Sequence, residues 1–143
     1  MSREDVMVAL FNALAASGSY ATMGRRLIHW GQVSEQPALF LRHVGDETPP
    51  RPTNRPGRVV MECEAWVYAK RDGDPAATAE TPINDLIDAI DFALRPPPGR
   101  QDQTLGGTVQ HAWIEGRTEI HPGDLDGQAI AVVPIKVLVP VIG

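Results

Sequence analysis

Four histidines, one cysteine and a trio of aspartates are the side chains of this 143-residue chain best suited to catalysis or metal binding. Their spacing argues against both. His29, His43, His111 and His121 form no His-x-His or His-x-x-x-His pair, and none stands at ligand spacing from Cys63. Cys63 falls in an alternating apolar run, which predicts an inert core thiol; a nucleophile would want a basic neighbour and partial exposure. Asp85, Asp88 and Asp91 recur every third residue of a helical pattern, and with no histidine or fourth ligand suitably placed they read as a solvated helix face. Leu105-Gly106-Gly107 lacks the downstream Gly or Lys-Ser/Thr of a phosphate-binding loop, and no Gly-x-Ser-x-Gly elbow occurs. No catalytic residue, metal ligand or cofactor is assigned.

Binding is better represented. Arg51, Arg55 and Arg58 lie in or beside a loop stiffened by Pro49, Pro50, Pro52 and Pro56; they suit phosphate or an acidic protein surface, or serve simple solubility. Trp66, Tyr68 and Trp113 fall on strand faces whose neighbours are charged. Large aromatics of this kind are enriched at interface hot spots, and stiffened loops lose less entropy on association. Residues 1–58 hold seven Arg against five acids, a balance of +2, whereas residues 59–143 hold six Lys or Arg against thirteen acids, a balance of −7. That split suits subunits meeting in a fixed orientation, or a solvated surface of mixed charge. A net charge of −5 without a basic run speaks against holding nucleic acid, sequence-specifically or otherwise.

The elements that must position these residues follow from periodicity. Residues 3–16 predict an amphipathic helix capped by Ser2, with Glu4 and Asp5 in the first turn and Gly18 as a stop. Leu27–Trp30 fits a short strand, and Pro37–Val44 a firmer one closed by Gly45 and Asp46. Arg58–Arg71 is the strongest strand, with Val59, Met61, Cys63, Ala65, Val67 and Ala69 facing the core, Met61, Cys63 and Val67 of them beneath the second helix. Asp72–Pro75 is a turn signal, and residues 82–95 predict that second helix, with Thr81 as N-cap, Pro82 at the first position and an apolar stripe through Ile83, Leu86, Ile87, Ile90 and Leu94. Pro96–Gly99 ends it. In Thr108–Glu115, Val109, His111 and Trp113 share one face; Thr118–Ile120 continues the pattern, Pro122–Gly127 turns, and Gln128–Val139 is a last strand. Its Pro134 predicts an edge strand or a bulge, hence a seam for a neighbour's strand.

The chain therefore predicts one domain over residues 1–143, of α+β class: an antiparallel sheet flanked by two helices, with long Pro-rich loops at 48–57 and 96–104. A single cysteine, no apolar run long enough for a bilayer and no signal-peptide pattern predict a product that stays in the cytoplasm, away from membranes.

The order of segments resembles the tail terminator family of long-tailed bacteriophages, the lambda minor tail protein U-like group. The likeness runs through the helix Arg3–Ala16, Pro37–Glu47 with a variable loop after it, the strand Val59–Asp72, the helix Pro82–Leu94, Gln103-Thr-Leu-Gly-Gly-Thr-Val-Gln-His-Ala-Trp-Ile-Glu-Gly116 and the strand Gly127–Val139. The helix followed by Leu-Gly-Gly-x-Val and a strand ending near Glu115-Gly116 is its most telling piece. The family has no catalytic signature. The resemblance implies a homohexameric ring, assembled in the cytoplasm of a bacterial host and carried in the virion tail of a phage or prophage. Such a ring caps the tail tube, stops its growth, and meets the tail tube protein on one side and a head completion or connector protein on the other. The alternatives are a tail-tube or head–tail connector protein, a small enzyme, and a ligand-binding or regulatory domain.

Overall fold

The computed structural model describes residues 2–50, 57–70, 80–123 and 126–140. In chain order the elements are α1 (Arg3–Ala15), β1 (Thr22–Gly24), a 3₁₀ turn (Trp30–Gln32), β2 (Ala38–Glu47), β3 (Val59–Lys70), α2 (Glu80–Ala93), β4 (His111–Ile114), β5 (Glu119–His121) and β6 (Gln128–Val139). The class is α+β: six strands order as β1-β2-β3-β6-β4, with β5 also paired to β6, beside the two helices of the described residues. The turn signal at Asp72–Pro75, and Arg51 and Arg55, lie outside the described residues.

Both helices cover the same face of the sheet. Alternation along β3 sends Met61, Cys63, Ala65, Val67 and Ala69 into the core, and the facing β6 set, Ala129, Ala131, Val133, Ile135, Val137 and Val139, joins them. Val6, Met7, Leu10 and Leu14 of α1, with Ile83 and Ile90 of α2, close over these rows. Cys63 packs against α1, its Sγ 3.6 Å from Met7 Sδ. The start of α1 forms a capping box: Asp5 N–H donates to Ser2 Oγ, and Ser2 N–H to the Asp5 carboxylate.

Four sequence expectations change. The sheet is antiparallel except between β1 and β2, which run parallel. Parallel neighbours need a crossover, and here it contains Leu27–Trp30. That segment forms no strand: Leu27 and Ile28 pack over Phe40 and Tyr68 on the face away from the helices. Gly45 and Asp46 do not close β2, which continues to Glu47 past a register shift between His43 and Gly45. Helix α2 begins at Glu80, so Thr81 is not its cap, and Pro82 stays in the first turn where its missing N–H costs nothing.

A further change concerns β6, which is an interior strand. It pairs along its length with β3 and, on its other side, with β4 and then β5. Pro134 is tolerated because its carbonyl accepts from Glu115 N–H on the β4 side. In an extended strand a residue's N and O point the same way, so the absent donor faces the break where the chain passes from β4 to β5. Gly116 lies in that break at φ 116°, and a Cβ there would come within 3.3 Å of the Pro134 ring.

The Leu-Gly-Gly turn before β4 also differs. Leu105, Gly106 and Gly107 all take positive φ, and the Thr104 carbonyl accepts from the N–H groups of Gly107, Thr108 and Val109. This tight turn drives Val109 into the main core with Ala112, so it does not share a face with His111 and Trp113. Gln103 completes the loop from α2: its amide donates to the Ala93 and Arg95 carbonyls at 3.3 and 2.7 Å, meeting acceptors that the helix end leaves open.

Candidate assembly surface

The face of the sheet away from the helices is where the three nominated aromatics, Trp66, Tyr68 and Trp113, collect. Register places Arg42, Glu64 and Pro134 in one row, Glu62 and Lys136 opposite each other with Trp113 beside Lys136, and Phe40, Trp66, Val132 and Glu119 in another. The Leu27–Val33 crossover covers one end of this face, over Ala38, Phe40 and Tyr68. Beyond Trp66, among the described residues, no helix covers the face.

Tyr68 is thereby removed from the surface. It is 2% exposed, its ring lies 5.5 Å from that of Phe40, and its hydroxyl donates to the Ile28 carbonyl at 2.6 Å. Burial raises its pKa accordingly. A period of two gave Tyr68 and Trp66 the same face; nothing periodic announced the cover over one of them.

The two tryptophans are built alike. Trp66 Nε1–H donates to Glu64 at 3.1 Å, and Trp113 Nε1–H to Glu115 at 3.2 Å, each carboxylate lying two residues along the chain. Both indoles are half-buried, and Trp113 stacks on His111 with ring centres 5.1 Å apart and planes 12° from parallel. His111 Nδ1 accepts from Gln103 N–H at 3.0 Å, so that nitrogen carries no proton and its 3.7 Å approach to Asp102 is not an ion pair in this arrangement.

Acid dominates the face. Glu47, Glu62, Glu64, Glu115 and Glu119 share it with Arg42 and Lys136. Lys136 Nζ lies 2.6 Å from Glu115, and Arg42 3.8 Å from Glu64. The Glu115 contact holds the ammonium above its usual pKa, with Glu62 and Glu47 adding to the field, and the same bond holds the Glu115 carboxyl below its usual range. Arg58, the described member of the arginine trio, is exposed just before β3.

The remaining candidates are dispersed. His29 Nδ1 accepts from Gly31 N–H within the 3₁₀ turn, and His43 contacts Asp46 on β2, which also takes Arg3 at 2.6 Å. Asp85, Asp88 and Asp91 are exposed on α2, and Asp91 pairs with Arg95 at 3.4 Å. Among the described residues no group of three His, Cys, Asp or Glu is placed to hold a metal ion, and no helix is long and apolar enough to cross a membrane. A cleft of about 450 Å³ opens between the start of α2 and the β2–β3 end of the sheet, lined by Ser19, Gln36, Lys70 and Asp85 among others. Neither a protein-family model nor a curated protein matches this chain.

Proposed function

We propose that this chain is a structural, non-enzymatic subunit of a closed homo-oligomeric ring, and that the ring is the hexamer that caps a bacteriophage tail tube, ends its growth and presents the surface to which the head joins. The open sheet face carries the reading. Two half-buried tryptophans, each hydrogen-bonded to a glutamate, among carboxylates that outnumber the bases, form a polar-rimmed aromatic surface that the helices of the described residues leave uncovered. The order of segments that resembles the tail terminators supplies the kind of assembly.

Complementation tests it. A terminator-deficient phage or prophage supplied with this chain should give tails of uniform length joined to heads, seen by electron microscopy. Overlong tubes that stay unjoined in the presence of the wild-type chain overturn the terminator reading. Polymerisation of the chain itself into tubes would assign it to the tail-tube class.

A further inference from the structure

The open sheet face carries chemistry suited to a particular ligand: an extended segment rich in arginine and proline. Proline rings pack on indole faces in polyproline recognition, and a guanidinium both stacks on tryptophan and pairs with carboxylates. The same sequence contains such a segment, Thr48-Pro-Pro-Arg-Pro-Thr-Asn-Arg-Pro-Gly-Arg58, with four prolines and three arginines. We infer that the face bearing Glu62, Glu64, Trp66 and Trp113 is the seat of residues 48–58 from a second copy of this chain.

Charge and reach favour the second copy. The segment's charged residues are all arginines, whereas among the described residues the face carries more carboxylates than bases and its Glu62 has only the shared Lys136 as a basic residue opposite it. Within one chain the segment is tethered where β2 ends at Glu47 and β3 begins at Val59. Doubled back, half its length spans roughly 18 Å. Trp66 lies seven residues along β3 from Val59, or roughly 23 Å. A segment arriving from a neighbour meets the whole row from Glu62 to Trp66 without reversing. Because donor segment and acceptor face are different parts of the molecule, the contact is head-to-tail, the kind that closes into a ring when the rotation between copies permits. The inference rests on the self-assembly part of the function proposed above and names its contact.

The test is a titration of a synthetic peptide of residues 48–58 into the full chain, followed by calorimetry and tryptophan fluorescence. Saturable binding is expected, weaker as salt rises. It should weaken at least tenfold with the Glu62→Gln/Glu64→Gln double variant and with Trp113→Ala, and vanish when the peptide's three arginines are glutamate. Unchanged circular dichroism and melting temperature establish that the variants fold. With a wild type that sediments as a monomer, no saturation overturns the inference, as does binding indifferent to the face variants. Peptide binding by a chain whose own 48–58 is replaced by a Gly/Ser linker, where that monomeric wild type binds none, would show the segment seated in its own chain and likewise overturn it. With an oligomeric wild type, the linker replacement should dissociate it, and an oligomer that survives overturns the inference. Peptide failure alongside successful phage complementation removes only this contact. Peptide binding alongside failed complementation removes the terminator and keeps the contact.

Discussion

Gln36 and Gln128, 92 positions apart in sequence, exchange a reciprocal pair of side-chain amide hydrogen bonds, each 2.9 Å long. Gln128 is 6% exposed, and its amide also donates to the Ala129 carbonyl at 3.0 Å. The pair fastens the entry of β2 to the start of β6 across the end of β3. Buried amides with partners are nearly neutral to stability, but removing one member strands the other.

Gln128→Ala should therefore destabilise the chain by about 1–3 kcal/mol, through the Gln36 side-chain oxygen left without its donor and the lost bond to Ala129. Gln36→Ala should be milder, because Gln36 is only half-buried. Urea denaturation of both single variants and the double should show non-additivity, since each single variant already breaks the pair.

In α2 the stripe divides by depth. Ile83 and Ile90 are fully buried, whereas Leu86 and Ile87 are only partly so. Ile90→Ala is expected to cost roughly 2–5 kcal/mol by transfer and cavity terms together, and Ile87→Ala distinctly less. Equal losses for the two in chemical denaturation would contradict this packing.

Asp46 gives a pH dependence. Burial raises its pKa, but hydrogen bonds from Arg3 and His43 outweigh that and hold it below the ordinary 3.8. A group depressed in the folded state contributes stability that is complete above its unfolded pKa and lost as pH falls through the lower, folded value. The Arg3 partner is 46% exposed, so the effect is modest, about 1 kcal/mol or less. Asp46→Asn should be less stable than wild type at neutral pH, and the gap should close in the most acidic buffer the fold withstands.

Cys63 should be silent in the native state. Burial pushes its thiol up to about 12, with the Asp46 charge acting in the same direction. Almost no thiolate is present at neutral pH, and the residue is 2% exposed, with its sulfur against Met7. Ellman's reagent should titrate no thiol in the folded chain and one in denaturant; rapid native labelling would disprove the placement.

Periodicity carried the parts of the fold that repeat. Alternation in β3 assigned Met61 to Ala69 to the core, and the 3–4 spacing of α2 picked out Ile83 and Ile90. It failed where position depends on distant chain. Pro134 argued for an edge because the local rule does not know that the opposite ladder breaks beside it. Val109 looked like a partner of His111 until three successive positive-φ residues turned it inward. At the candidate surface, alternation placed Trp66 and Trp113 correctly outside the main core, while the Leu27–Val33 cover that withdraws Tyr68 left no local trace. Gln36, Gln103 and Gln128 went unnoticed because a side-chain bond between separated segments has no period.

The break beside Pro134 bears on how this chain behaves when crowded. It divides the outer side of β6 between β4, of four residues, and β5, of three, and the opposite margin of the sheet is β1, also of three. These three strands each offer only a short stretch of free backbone groups, too short to template a cross-β fibre. The longer margin is Leu41–Glu47 of β2, where β1, paired only with Ala38–Phe40, gives no cover. Arg42, Asp46 and Glu47 put charge along that stretch, which opposes edge-to-edge growth. The long strands β3 and β6 are each occupied on both sides.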